Sequence, residues 1–297
     1  MAKINIGGYD INITNHNKIL WPKYGITKLN YLEKLISLSE YLLPFTNNRY
    51  LTTIRYPNGV NKDFFFQKNK PKSAPEWVDT NRYHDKEYIH LNHIATLLWL
   101  GNQGAIEYHL SFNPINKDNY PSSLVFDLDP SEGQDFNEVI EVALIVKETL
   151  EGMNILSYIK TSGATGLQIF IPIGSKYDYD TARNINAFFG QYFAEKYPNK
   201  ITIERMVDKR NKKLYFDYLQ MWEGKTIIAP YSPRATEFAT VSTPLLWEEV
   251  ENGCHPRDYN LLNIEDRLKK KGNVLEDLLD ESKAQDLDFI IKYINKK

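Results

Sequence analysis

The segment Leu124-Val125-Phe126-Asp127-Leu128-Asp129-Pro130, an apolar run broken by two acids one residue apart, constrains this chain more than any other. Successive side chains of a strand point to opposite faces. Leu124, Phe126 and Leu128 therefore belong to a core, while Asp127 and Asp129 project side by side from the other face. Carboxylates held that close repel unless one carries a proton or a cation lies between them. Oxygen donors with no cysteine or histidine beside them suit Mg²⁺ or Mn²⁺. The same residues also read as a strand running out into an acidic turn, with Pro130, Ser131 and Gly133 supplying the turn.

The chain has 297 residues, enough for one large domain or two lobes. Its apolar stretches are too short to span a bilayer, and residues 1–5 lack a secretory apolar region, so cytoplasmic residence is the expectation. One cysteine, Cys254, excludes an internal disulfide and a cysteine-cluster zinc site. With 36 basic and 38 acidic side chains the net charge is −2, so DNA binding would require the basic residues to be gathered on one face.

The pattern predicts a strand pair over 4–13 and a helix capped by Thr27, with Leu29, Leu32, Leu35 and Ile36 on one face. Strands follow at 51–56 and 63–68, then a basic loop at 69–75, a helix at 92–100 and a strand at 105–110, with His109 at its end. The central part alternates strand and helix. The strand ending at Asp129 leads to a helix opened by a capping box of Asp135 and Glu138. Strands at 155–160 and 167–171 flank a glycine-containing turn, and a helix spans 180–197. A strand at 213–219 carries a third acid, Asp217, and the C-terminal segment is helical and charged. A single domain is expected, with an N-terminal lobe over 1–100, a core over 101–250 and a helical segment over 251–297.

An acid in the middle of a strand is costly to bury unless it is paired or metal-bound. Lys213 or Arg210 could pair with Asp217. Alternatively, two acids on one strand and a third on another suit a two-metal phosphoryl-transfer site, with ions roughly 3.5–4 Å apart. The turn at 162–166 is either a plain hairpin or a cradle whose amides and Ser162 hydroxyl hold phosphate oxygens. His109 and Arg234 are further candidates for contacting phosphate.

The order of short motifs resembles the polymerase domain of bacterial ATP-dependent DNA ligase D, in the archaeo-eukaryotic primase superfamily. The matching stretches are Leu20-Trp21-Pro22, Gly25-Ile26-Thr27-Lys28, Arg55-Tyr56-Pro57-Asn58-Gly59, Phe65-Phe66-Gln67-Lys68 and Pro75-Glu76-Trp77-Val78. They continue through Asp127-Leu128-Asp129-Pro130, Thr161-Ser162-Gly163, Asp217-Tyr218-Leu219-Gln220, Tyr231-Ser232-Pro233-Arg234 and Val241-Ser242-Thr243-Pro244-Leu245.

The resemblance implies an α+β fold, a primase-type core of mixed and antiparallel sheets with flanking helices. It implies a nucleotidyltransferase that extends primers at gaps or broken ends in non-homologous end joining, prefers ribonucleotides and uses two Mn²⁺ or Mg²⁺ ions. Asp127, Asp129 and Asp217 would be the metal-binding acids. His109, Ser162, Gly163, Gln168 and Arg234 would surround the incoming nucleoside triphosphate. Lys18 and Lys28 would receive a 5′ phosphate, Phe66 would stack on the template, and Lys68 would add a backbone contact. Ku and a separate ligase would be partners, at the nucleoid.

The chain departs from the family at Gln168, where histidine is usual, and at Ala164, Met221 and Thr236, where lysine, asparagine and arginine are common. A weakened end-binding module of the same fold is the alternative these departures raise. A phosphatase with Asp127 as nucleophile and Asp129 as general acid is a further reading, although such a motif normally lies near the start of a chain.

Overall fold

In the computed structural model, residues 2–296 are described. In chain order the elements begin with β1 (Ala2–Ile6), β2 (Tyr9–Ile13), β3 (Ile19–Trp21), β4 (Ile26–Thr27), α1 (Lys28–Thr46), β5 (Arg49–Arg55) and β6 (Phe65–Gln67). Next come β7 (Thr80–Tyr83), β8 (Lys86–Ile89), α2 (Ile94–Asn102), β9 (Ala105–Pro114), β10 (Ser123–Asp129), α3 (Phe136–Gly152) and β11 (Tyr158–Thr161). The remainder is β12 (Leu167–Pro172), α4 (Tyr179–Lys196), β13 (Ile201–Thr202), β14 (Leu214–Phe216), β15 (Thr226–Ile228), β16 (Pro244–Leu245), α5 (Trp247–Glu251), α6 (Ile264–Lys271) and α7 (Asp288–Ile294). The chain is α+β and divides into two compact units. The first comprises residues 1–111, 226–243 and 257–273; the second comprises 112–225, 244–256 and 274–297.

The first unit contains a sheet of order β15-β9-β5-β6, with β6 at its edge. Helix α1 packs on α2. Its N-terminus is fixed by a capping box, Thr27 accepting from the Asn30 N–H while the Asn30 side chain accepts from the Thr27 N–H. The buried stripe is Tyr31, Leu32, Leu35, Leu38 and Leu42. Ile36, expected on that face, lies outside it and is 38% exposed. It follows Leu35 by one residue, about 100° further round the helix, and so falls off the packed stripe.

The second unit is built on a six-stranded sheet of order β13-β14-β10-β12-β11-β16. Central β10 pairs antiparallel with β12 and β14. The alternation works as the sequence implies. Leu124, Phe126 and Leu128 are fully buried, and Phe126 packs against Phe189 of α4 and Phe216 of β14, with ring centroids 5.1 and 5.0 Å apart. Asp127 and Asp129 emerge on the opposite face.

Several boundaries differ from expectation. Strand β14 stops at Phe216, so Asp217 does not sit mid-strand; it caps a 3₁₀ turn, Tyr218–Gln220. A carboxylate can accept the free N–H groups of such a turn, which relieves the cost of interrupting an apolar strand. Strand β9 continues to Pro114, so His109 lies inside it rather than at its end. Strand β11 begins only at Tyr158. Asp135 caps α3 by accepting from the Asn137 N–H, without the reciprocal Glu138 bond of a capping box. Among the described residues no helix is long and apolar enough to cross a membrane.

Phe126→Ala should destabilise the second unit by about 3–5 kcal/mol, whereas Ile36→Ala should cost no more than about 0.5 kcal/mol. Urea denaturation of the two variants checks this contrast. Equal losses would contradict the packing assignment.

Candidate active site

Asp127 is the most constrained acid in the second unit. Its position on β10 pairs with Gln168 on β12, which in turn pairs with Lys160 on β11. On the other side, the Asp217 N–H donates to the Asp127 carbonyl at 3.0 Å. Side chains directly opposite on neighbouring strands share a face. A row of Lys160, Gln168 and Asp127 therefore crosses three strands, with the backbone of Asp217 beside its end. Lys160 Nζ donates to Gln168 Oε1 at 2.5 Å, and Gln168 Nε2 donates to Asp127 Oδ1 at 3.1 Å.

Burial, and then the negative charge of Asp129 two residues on, push the Asp127 carboxyl well above the ordinary carboxylate range. The Gln168 hydrogen bond and the Lys160 charge oppose this without cancelling it. Asp129 is only half-buried. The Asp217 carboxylate turns toward its own turn, where Oδ1 accepts from the Tyr215 hydroxyl at 3.0 Å and the Leu219 N–H at 3.1 Å. Among the described residues, no three His, Cys, Asp or Glu side chains are disposed as a metal-holding group. Asp127 and Asp217 are thus brought together, near enough for the Asp217 charge to add to the upward push on the Asp127 carboxyl, while one Asp217 oxygen serves its own turn. The donor chemistry of Asp127 and Asp129 nevertheless fits a hard divalent cation. Two close carboxylates, one buried, leave a negative charge that the Lys160 row only partly offsets.

The turn between β11 and β12 lies against the end of β10. A Cβ on Gly166 would come within 2.4 Å of the Leu128 carbonyl oxygen, so only glycine permits this approach. Ser162 Oγ accepts from the Ala164 and Gly166 N–H groups at 3.2 and 3.0 Å, so its own O–H remains a donor. Gly163 supplies the turn's left-handed residue, at φ 72°. Met221 is fully buried.

The other expected residues belong to the first unit. There Glu107, which sequence reasoning missed, ties two of them together. Glu107 Oε2 accepts from His109 Nε2 at 3.0 Å and pairs with Arg234 Nη1 at 3.1 Å, and Oε1 accepts from the Ala235 N–H at 3.0 Å. Burial alone would raise the Glu107 carboxyl. The His109 bond, the Arg234 charge and the Ala235 N–H outweigh burial and hold it below its usual range. Arg234 Nε is buried with no hydrogen-bond partner among the described residues. Leaving a buried donor unsatisfied costs about 1–3 kcal/mol, and more for a charged group. Thr236, in place of a second arginine, closes a local turn through Thr240 Oγ1 at 2.7 Å.

Three cations of the first unit also cluster without a carboxylate among their hydrogen-bond partners. Lys18 Nζ donates to the Pro57 carbonyl at 2.9 Å, Lys28 Nζ to the Asn102 carbonyl at 2.8 Å, and Arg55 Nη2 to the Gln103 carbonyl at 2.7 Å. Burial, followed by the charges of Lys18 and Arg55, pushes the Lys28 ammonium down to about 8. Arg55, to which the sequence alone assigned no role, also lies 4.9 Å from the Phe65 ring. Phe64, Phe65 and Phe66 are all exposed, Phe66 most at 64%, and Lys68 follows the edge strand that carries two of them.

These features have counterparts among known proteins. The fold is that of a primase-type polymerase domain: the polymerase domain from Mycobacterium tuberculosis ligase D, solved in complex with DNA, matches with a TM-score of 0.82 and 27% identity, over 93% of this chain and 99% of that one. Residues 27–275 match the model of the LigD primase-polymerase domain, and the chain belongs to that family. Bifunctional non-homologous end joining protein LigD of Bacillus subtilis is 38% identical over 97% of this chain. Multifunctional non-homologous end joining protein LigD of Mycolicibacterium smegmatis is 29% identical over 90% of it. The chain spans less than half the length of these relatives, 47% and 36% respectively.

In the folded chain, Asp127 retains a proton that the unfolded chain releases at ordinary carboxylate pH. Its contribution to stability therefore falls as pH rises through and above that range. In metal-free buffer near neutral pH, Asp127→Asn should melt above the wild type. Mn²⁺ should raise the wild-type melting temperature and leave that of the variant unchanged. A wild type indifferent to Mn²⁺, Mg²⁺ and pH would contradict the cation reading.

Proposed function

We propose that this chain extends primers at gaps or broken DNA ends, using a nucleoside triphosphate and a template. The observation that carries the reading is the acid pair Asp127 and Asp129 at the exit of a central strand, with the backbone of Asp217 hydrogen-bonded to Asp127. Asp127, Asp129 and Asp217 would hold two Mn²⁺ or Mg²⁺ ions, which when bound supply Lewis-acid activation of the primer 3′ hydroxyl and neutralise triphosphate charge. The chain's own groups do the rest. The Ser162 hydroxyl and the amides of its turn hold phosphate oxygens. His109 and Arg234, oriented by Glu107, donate to the triphosphate, Arg234 through the Nε that has no acceptor among the described residues. In the overall reaction the 3′ oxygen bonds to the α-phosphorus and pyrophosphate leaves.

Lys18 and Lys28, joined by Arg55, would receive a 5′ phosphate. Like charges held by neutral carbonyls form a site whose repulsion an anion relieves. The exposed Phe64–Phe66 side chains suit stacking on unpaired template bases. Ribonucleotide preference and work alongside Ku and a ligase, with nucleoid association, complete the proposal. Gln168, Ala164 and Thr236 support the alternative of an end-binding module with weak catalysis.

Extension of a gapped duplex with a recessed 5′ phosphate separates these readings. The wild type should incorporate ribonucleotides with Mn²⁺, and Asp127→Ala should lower the rate by at least about a hundredfold. Undiminished extension by Asp127→Ala would refute the acid assignment; phosphate-dependent binding with no incorporation would favour the end-binding module.

The preference for 5′-phosphate over 5′-hydroxyl DNA has its own pH signature. With Lys28 near 8 in the free protein, phosphate binding must take up a proton above that pH. The preference should fall between pH 7 and 9 and should be lost in the Lys18→Ala, Lys28→Ala double variant, as fluorescence anisotropy can measure. A pH-independent preference would contradict the role of Lys28.

A further inference from the structure

Lys160 has no assigned role in the reaction, yet it is fully buried on β11, two strands from Asp127. A completely buried lysine is rare and costly unless its ammonium is hydrogen-bonded. Its neighbours on the strand, Ile159 and Thr161, are also buried, so an apolar residue would serve packing alone. The ammonium instead reaches Gln168 Oε1 at 2.5 Å, with the Thr161 carbonyl at 3.4 Å. Lysine can only donate. The amide oxygen of Gln168 must therefore face Lys160, and its nitrogen must face Asp127, where it donates to Oδ1 at 3.1 Å.

We propose that Lys160 is a positioning residue for the acid pair: it fixes the Gln168 amide so that one oxygen of Asp127 is held by an N–H and the other is presented to a divalent cation. Without the ammonium, the amide can flip and set its oxygen against the carboxylate. Asp127 would then be repelled from the rotamer in which Gln168 holds it. The inference rests on the divalent-ion reading of Asp127 and Asp129. It also gives Gln168, a departure from the family pattern, a defined role, that of linking a buried cation to an acid that needs orientation.

Mn²⁺ binding measured by electron paramagnetic resonance, without nucleotide or DNA, tests this on the wild type, K160M, K160Q and Q168L, with thermal melts confirming that each is folded. Partners that orient a metal ligand typically contribute about 10–100-fold to metal affinity. K160M and Q168L should each weaken Mn²⁺ binding by that factor. K160Q keeps a donor toward Gln168 and should recover most of the loss. In primer extension, K160M should raise the Mn²⁺ concentration for half-maximal rate while leaving the nucleotide KM near the wild-type value. Wild-type affinity in a folded K160M would overturn the proposal, as would equal losses in K160M and K160Q. If K160M does not fold, Q168L binding Mn²⁺ like the wild type overturns it from the other side of the contact. A wild type that binds no Mn²⁺ removes the underlying reading as well, an outcome distinct from normal wild-type binding with an indifferent K160M.

Discussion

A carboxylate buried on the central strand of a six-stranded sheet, with a second two residues on, is the constraint around which the second unit is organised. Folding leaves Asp127 only 8% exposed, where water solvates it poorly and Asp129 repels it. A protein selected only for stability would put apolar or amide side chains there, since breaking up a buried ionic arrangement in favour of apolar packing is often neutral or stabilising. Instead the sheet supplies a neutral amide and then a buried ammonium in the same cross-strand row. That arrangement tolerates the acid without neutralising it. The residual electrostatic strain is what a divalent cation would remove.

The first unit repeats the logic with opposite sign. Among the described residues, Lys18, Lys28 and Arg55 are held by carbonyl oxygens rather than by acids, and Arg234 keeps a buried N–H without an acceptor. Glu107 does not contradict this. Its single carboxylate orients His109 and Arg234 together, through bonds of 3.0 and 3.1 Å, and leaves the remaining donors of the guanidinium for other acceptors. A chain with a net charge of −2 thus carries local clusters of positive and of negative charge. The overall balance of charge says little about its partners, because recognition depends on where charges are left uncompensated.

Much of this was legible in the sequence because it follows from strand periodicity. Asp127 and Asp129 share a face by the two-residue repeat, and Phe126 beside them is core. Asp217 was recognisable as an anomalous acid in an apolar run. Its rotation into a turn was not, because the end of a strand depends on hydrogen bonds made by Leu219 and Tyr215 rather than on composition. Glu107 was missed although it stands two residues before His109 on the same strand, the same spacing that singled out the aspartates. Lys160 and Arg55 carried the signal used for Asp217, a charge inside an apolar strand, and were passed over because basic residues are so often exposed. The helix stripe failed at Ile36 because four apolar residues fit more than one face. Tertiary packing on α2 chose the stripe that includes Leu38 and Leu42.

Whether the acid pair holds a divalent cation can be read from anomalous X-ray diffraction of crystals soaked in Mn²⁺. An anomalous peak within coordination distance of carboxylate oxygens from both Asp127 and Asp129 is the expected result. Saturating Mn²⁺ with no peak beside either acid would contradict it.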